Sequence, residues 1–167
     1  MVQVHFKGKP TNLSGQLPRV GQPAPDFKLV GQDLSDVSLA QYQGKKKILN
    51  VFVSIDTPVC AQSVREFHKK VSDLSDVVVL NISGDLPFAL GRFCAAEGIK
   101  NAQGLSTFRS NFGKEYGIAI LDGPLHGLCA RAVVVLDQNN KVIYEELLSE
   151  ISHEPDYDQA LAVVKGE

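Results

Sequence analysis

No stretch of this sequence approaches the roughly 18 consecutive apolar residues of a membrane span. Its opening, Met1-Val-Gln-Val-His-Phe-Lys-Gly-Lys-Pro10, also lacks the apolar run of about 7–15 residues that a secretory signal requires. The expected address is therefore the cytoplasm, with no membrane partner. A basic excess is missing too: 17 Lys and Arg stand against 19 Asp and Glu, a formal charge of −2. No basic stripe can then neutralise phosphates, so nucleic acid is not an expected partner. The one lysine run, Lys45 to Lys47, reads as a solvated approach to an apolar strand. A glycine-rich phosphate cradle is absent as well. None of His5, His68, His126 and His153 has metal-ligand spacing with a cysteine or carboxylate, so neither zinc nor copper is expected. His5 and His68 read as surface residues and the other two as loop residues. Cysteine is scarce: three residues, odd in number and widely spaced, exclude the disulfide framework of a small secreted scaffold. In a reducing compartment such cysteines are either small buried hydrophobes or chemistry.

What is present suits one ordinary domain, residues 1–167. Hydrophobic residues make up 44% and charged residues 22%, which excludes disorder and fibrous classes. There is no internal repeat or linker. Val2 to Phe6 alternates like a short strand, Gly8-Lys9-Pro10 reads as a turn, and Gly21 to Pro25 reads as extended. Phe27 to Val30 and then Ile48 to Val53 read as strands, the second buried on both faces. A helix from Pro58 to about Leu74 follows from the spacing of Val64, Phe67, Val71 and Leu74. Strand Val77 to Ile82 and helix Leu86 to Glu97, stopped by Gly98, come next. Residues 100–117 carry no clear pattern. Strands Ala130 to Leu136 and Val142 to Leu148 are joined by the turn sequence Asp137-Gln-Asn-Asn140, and Pro155 opens a final helix to about Lys165. This order describes an α/β fold, a mixed central sheet flanked by helices, thioredoxin-like in outline.

Chemistry concentrates where the first central strand meets its helix, at Ser54-Ile-Asp-Thr57-Pro58-Val-Cys60. Thr57 suits the N-cap and Pro58 the first helical position, which puts Cys60 third in the helix. There its backbone N–H is an unpaired donor of the first turn, and the helix dipole places partial positive charge. A thiolate is the form such surroundings favour, and nucleophilicity belongs to the thiolate. Cys60 is the candidate nucleophile, because a merely structural thiol needs neither cap nor proline. Arg131, at the head of Ala130-Arg-Ala-Val-Val-Val-Leu136, taken alone is a strand-end residue whose stem packs and whose head reaches water. Against that, ligands of such sheets gather where strand ends and helix starts meet. Cys94, in Arg92-Phe-Cys-Ala-Ala96, passes by itself for a core residue. Cys129 shares a face with Arg131 if the following strand extends that far.

Together these segments resemble the bacterial thiol peroxidase branch of the peroxiredoxins, the atypical two-cysteine type. The resemblance runs through Ser54 to Cys60, Asp85-Leu-Pro-Phe-Ala89 with Arg92-Phe-Cys94, Leu105-Ser-Thr-Phe-Arg109 and Asp122-Gly-Pro-Leu125. It continues through Ala130 to Val135 and Glu154-Pro-Asp-Tyr157. The family pattern Pro-x-x-x-Thr-x-x-Cys with a distant arginine is met by Thr57, Cys60 and Arg131, while Val53 occupies the proline position. The resemblance implies a thioredoxin fold with an N-terminal hairpin, a homodimer, and no cofactor. It also implies that Cys60 is the peroxidatic cysteine attacking a hydroperoxide, Cys94 the resolving cysteine that closes an intramolecular disulfide, and thioredoxin the reductant. Thr57 would hydrogen-bond thiolate and peroxide, and Arg131 would hold both. Phe88, Phe93 and Phe112 are expected near the pocket, which permits alkyl or lipid hydroperoxides.

Two rivals differ in kind. A thioredoxin-like disulfide oxidoreductase needs Cys-x-x-Cys, but the flanking positions hold Thr57 and Ser63. A non-catalytic redox sensor or chaperone module on the same fold is the other. On the residues alone Cys94 and Cys129 both stand as partners for Cys60, and only the resemblance favours Cys94.

Overall fold

A computed structural model describes residues 2–99 and 102–166. Its frame is a seven-stranded mixed sheet made of β3 (Leu29–Val30), β4 (Asp36–Val37), β5 (Lys46–Val51), β6 (Val77–Ser83), β7 (Ala102–Ser106), β8 (Ala132–Leu136) and β9 (Val142–Leu147), in the order β4-β3-β7-β6-β5-β8-β9. The pairs β5–β6 and β6–β7 are parallel, whereas β8 runs antiparallel to β5 and β9 antiparallel to β8. A separate hairpin, β1 (Gln3–Phe6) with β2 (Lys9–Asn12), forms at the N-terminus as expected, with Lys7 and Gly8 as its turn at positive φ. Lys9 and Pro10 are thus strand residues rather than turn.

The helices are α1 (Pro58–Val71), α2 (Pro87–Glu97), a single turn α3 (Phe112–Glu115) and α4 (Tyr157–Lys165). The helix α2 ends on Gly98 in the left-handed conformation, its N–H returning to the last carbonyls, as the sequence indicated. The first helix stops at Val71, three residues short of the expected Leu74, whose N–H closes a turn onto Val71 O at 2.9 Å. The last helix starts later than expected: Asp156, not Pro155, caps it, its carboxylate accepting from Gln159 N at 3.1 Å. Among the described helices none is long and apolar enough to cross a membrane.

Lateral pairing shows where the helices lie. Asn50, Asn81 and Gly104 are neighbours across three parallel strands and so face the same way. The side-chain amide of Asn50 donates to Ser63 of α1, while a side chain at Gly104 would meet Leu90 and Cys94 of α2. Both helices therefore cover one face. They are joined there by α4, which packs Leu161 and Val164 with Phe67, Val71, Ile48 and Val79. The opposite face packs Leu49, Val51, Ile82 and Val134 with Phe112, Tyr116 and the N-terminal segment.

The lysine run departs from expectation. Lys46 Nζ donates to Val164 O at 2.7 Å at the end of α4, and Lys47 is fully buried, its Nζ 2.6 Å from Asn140 Oδ1. These ammonium groups tie β5 to α4 and to the β8–β9 turn instead of soliciting water. His5 is exposed, but His68 is half-buried on α1.

Candidate active site

Strand β5 is parallel to β6 and antiparallel to β8, so the end of β5, the start of α1 and the start of β8 meet at one edge. Val51 pairs with Ala132, which sets Arg131 just ahead of β8 beside the loop that leads into α1. Thr57 and Pro58 take the N-cap and first helical positions, and Cys60 lies third, 1% exposed. Helix geometry leaves the amides of Val59 and Cys60 without intrahelical acceptors; the first bond onto the helix is Ala61 N to Thr57 O at 3.0 Å.

The Arg131 side chain is 2% exposed, which overturns its reading as a strand-end residue with its head in water. Its Nε donates to Ile151 O at 2.8 Å and its Nη2 to Cys60 Sγ at 2.8 Å. Its Nη1 is buried without a partner. Two donors thus fix the guanidinium, and the third is enclosed without a partner, unusual for a buried polar group.

A cavity of about 260 Å³ adjoins this pair, bordered by Cys60, Arg131 and Thr57, with Phe6, Val53, Leu125 and Ile151 as apolar wall. Expected wall residues lie elsewhere: Phe88 is 67% exposed on α2, Phe93 lies beneath the Arg65 guanidinium, and Phe112 stacks on Tyr116 in the core. Phe6 comes from the N-terminal hairpin, which sequence alone gave no reason to place here. The hairpin is held by Glu150, whose carboxylate accepts from Gly8 N and Ser152 N, each at 2.9 Å, and from Ser152 Oγ at 2.8 Å. Those bonds, the Ser152 amide first, lower the Glu150 pKa to about 2.

Thr57 occupies the N-cap position without making the cap bond. Its hydroxyl donates instead to Ser54 O at 2.8 Å, so in this conformation the proton faces the loop. The loop is in turn pinned by Asp85, between β6 and α2: the carboxylate accepts from Ser54 Oγ at 2.7 Å, Ile55 N at 2.7 Å and Ser83 Oγ at 2.6 Å.

The three cysteines are free thiols lying in different surroundings. Cys94 lines a separate cavity of about 580 Å³ with Gln32, Gly91 and Gln103, which shares no bordering residue with the cavity at Cys60. Burial pushes the Cys94 thiol above its ordinary range, partly offset by a hydrogen bond with Gln32. Cys129 does not share Arg131's site. The strand begins only at Ala132, so the alternation of side chains does not extend back to Cys129. That residue instead bridges Ala119 and packs against Gly113, where burial pushes its pKa up to about 12.

A thiol at a helix start, contacted by a buried guanidinium beside an apolar cavity, is the arrangement of a cysteine-dependent peroxidase on a thioredoxin-like frame. Relatives agree. The Redoxin family model matches residues 19–161. The thiol peroxidase of Corynebacterium glutamicum is 52% identical over 164 residues, 98% of this chain and 99% of that one. The thiol peroxidase of Mycobacterium tuberculosis is 49% identical over the same shares. Among solved structures, a peroxiredoxin-like protein from Aquifex aeolicus has a TM-score of 0.92 at 36% identity, covering 98% of this chain and 96% of its own. The thiol peroxidase from Chromobacterium violaceum has a TM-score of 0.91 at 26% identity, covering 98% and 95%. The chain belongs to the Redoxin family and is a thiol-dependent peroxidase of the peroxiredoxin class.

Proposed function

We propose that Cys60 is the peroxidatic cysteine, that Cys94 resolves it, and that thioredoxin returns the enzyme to the dithiol form. The observation that carries this reading is the 2.8 Å approach of Arg131 Nη2 to Cys60 Sγ beside the apolar cavity that both residues border. A guanidinium in contact with the sulfur stands where charge moves from sulfur to the departing oxygen.

The thiolate attacks the outer oxygen of the hydroperoxide, forming S–O as O–O breaks. The departing oxygen keeps the electron pair and leaves as alcohol or water on taking a proton. Negative charge that resided on sulfur moves to that oxygen, and Arg131 with the first-turn amides of α1 can follow it at little reorganisation. Thr57 bonds the peroxide once its hydroxyl turns from Ser54 O, leaving Thr57 N to hold that carbonyl at 3.1 Å. The Cys60 sulfenic acid then meets the Cys94 thiol: S–S forms, S–O breaks and water departs. A reduced dithiol of the thioredoxin type transfers two electrons and two protons to the disulfide. Apolar walls at Phe6, Val53, Leu125 and Ile151 suit alkyl and lipid hydroperoxides as well as hydrogen peroxide. No cofactor takes part in these steps. The cytoplasm as the address and the homodimer as the assembly complete the reading, the latter tested by sedimentation of the reduced protein.

The deciding experiment follows peroxide consumption with thioredoxin, thioredoxin reductase and a nicotinamide donor. Wild-type protein turns over and Cys60→Ser does not, since a hydroxyl cannot supply the nucleophile. Retention of most activity by Cys60→Ser would sink the assignment.

A further inference from the structure

From the contacts around Asp85 we infer that this residue is a positioning residue coupling the first turn of the Cys60 helix to the first turn of the Cys94 helix, so that the two open together. The inference rests on the reading of Cys60 and Cys94 above and deepens it, because it names what controls access of one sulfur to the other.

Asp85 stands one residue before the α2 cap, Leu86, and so moves with that helix start. Its carboxylate meanwhile holds the opposite segment by Ser54 Oγ and Ile55 N, and its own strand end by Ser83 Oγ. Its backbone carbonyl accepts from Ser106 Oγ at the end of β7. Ile55 is 3% exposed and Ser83 and Ser106 are fully buried, so these donors have no water to turn to. From Ser54 the connection continues into the active loop: Ser54 O accepts from both Thr57 N and Thr57 Oγ1, and Thr57 caps α1 three residues before Cys60. Asp85 is thus bonded to the loop that leads into one helix start and is a covalent neighbour of the other.

Two other links join the same helices, Arg92 to Asp56 at 3.1 Å and Arg65 to Glu97 at 2.8 Å. The first has side chains 68% and 66% exposed. Pairs of that kind change an equilibrium by less than about fivefold. A hydrogen bond to a charged group is worth about ten- to a hundredfold. Arg65 to Glu97 is bidentate but joins the middle of α1 to the last residue of α2, so it does not hold the two helix starts, where the Asp85 contacts dominate.

The separation of the sulfurs gives the coupling its purpose. In the closed form Cys60 borders one cavity and Cys94 another, and a disulfide needs their Cα atoms within about 7 Å. Loosening one helix start while the other stayed fixed would expose the site without joining the sulfurs. A shared carboxylate makes the two openings one event.

The test is amide hydrogen exchange on fully reduced protein without peroxide, following amides 61–64 of α1 and 89–94 of α2. In Asp85→Ala both sets are expected to exchange faster by about tenfold or more, and in Ser54→Ala, which removes one of the bonds, both by several-fold. Tyr116→Phe, which removes the buried bond from Tyr116 Oη to Pro25 O at 2.7 Å, serves as a control for general destabilisation and should leave these local openings unchanged. Acceleration in α1 alone, in neither segment, or equally in the control would overturn the inference; should Asp85→Ala fail to fold, Ser54→Ala decides it. A second measurement, stopped-flow loss of the sulfenic acid after one peroxide equivalent, should show faster disulfide closure in Ser54→Ala than in wild type, and equal rates would also overturn it. Failure of wild type to form a Cys60–Cys94 disulfide counts instead against the resolving assignment, while the exchange result still decides the coupling.

Discussion

Replacing Arg131 by methionine keeps most of the buried stem and removes the charge, which separates what the guanidinium does for chemistry from what it does for the fold. At the 2.8 Å separation from Cys60 Sγ, two full charges at an effective dielectric of 20 attract by about 6 kcal/mol before desolvation is subtracted. Loss of one preorganised donor at a developing anion typically reduces rate by about 10²–10³-fold, or about 2.7–4 kcal/mol, which lies inside that ceiling. kcat/KM for peroxide should fall by that factor. Stability should move far less. The bond from Nε to Ile151 O is lost and leaves a carbonyl unpaired, a loss of about 1–3 kcal/mol. Removing a buried cation without a carboxylate partner returns a desolvation penalty of several kcal/mol in the opposite direction. The two offset, so Tm should stay within a few degrees of wild type at about 2–4 °C per kcal/mol. Arg131→Lys should fall between, because a single ammonium cannot reach Ile151 O and Cys60 Sγ with fixed geometry. Stopped-flow peroxide reduction and thermal unfolding read the two effects separately. A loss of activity under tenfold together with a fall in Tm beyond about 8 °C would show that Arg131 serves the fold and refute the reasoning.

Peptide mapping of peroxide-treated protein should find Cys60 linked to Cys94 within one chain; a dominant link to Cys129, whose pKa is about 12 and whose thiol is buried, would reverse the assignment. The Glu150 clamp on the hairpin should fail in acid. Its folded pKa of about 2 lies below an unfolded value of about 4.3, so its contribution is complete above about pH 4.3 and is lost as pH falls towards 2. The Gly8 amide resonance should shift over that window, and in Glu150→Gln should be displaced already at pH 7; an amide insensitive to both would remove the clamp. Val53→Pro should raise kcat/KM by fixing φ at the cavity wall, where Val53 is 6% exposed, with no loss of fold. Equal kcat/KM for both forms would show that position 53 does not govern loop geometry.

How much of this was legible beforehand depended on whether the signal was local. The strand read at Ile48 to Val53 and found two residues earlier at Lys46–Val51, the helix from Pro58, the Gly98 stop and the 137–140 turn are written in short windows, by burial on both faces, a proline at the first helical position and turn-forming residues. Cys60 was legible for the same reason: its candidacy as nucleophile rests on its place in the helix. Arg131 was not decided by its own segment, because a strand-opening arginine in isolation prefers water, and only the pairing of Val51 with Ala132 closes it over the thiol. Resemblance supplied what periodicity could not. The cavity wall was misplaced, since Phe6, Leu125 and Ile151 arrive from three segments with no shared pattern. Thr57 was legible as a position but not as a bond, because its hydroxyl has a nearer acceptor in Ser54 O. Asp85 appeared only as part of a familiar string; a carboxylate at the turn between strand and helix, flanked by Ser83, was the signal available for its role.

On the proposed roles of Cys60 and Cys94, the strand order also explains why attack and resolution use different geometry. An antiparallel neighbour brings its beginning, not its end, to the edge where α1 starts, so a residue just ahead of β8 can serve a residue in the first turn of that helix. The same edge receives the start of α2 after β6, which is how Asp85 comes to bond Ser54. Cys60 is the third residue of its helix, whereas Cys94 is the eighth of its own, with Pro87 the first. At 1.5 Å per residue Cys94 lies about 10 Å along its axis from the edge where Cys60 reacts. It is turned there onto Gly104 of β7, where a Cβ would come within 2.9 Å of Leu90 and 3.8 Å of Cys94 Sγ. The missing side chain at Gly104 lets the helix settle onto the sheet and seat this sulfur away from the peroxide site. On the proposed roles of the two cysteines, a first-turn thiol reacts without the helix moving, whereas a thiol two turns further on meets it only when a helix unwinds. That proposal assigns peroxide reduction to the closed form and disulfide formation to the open one.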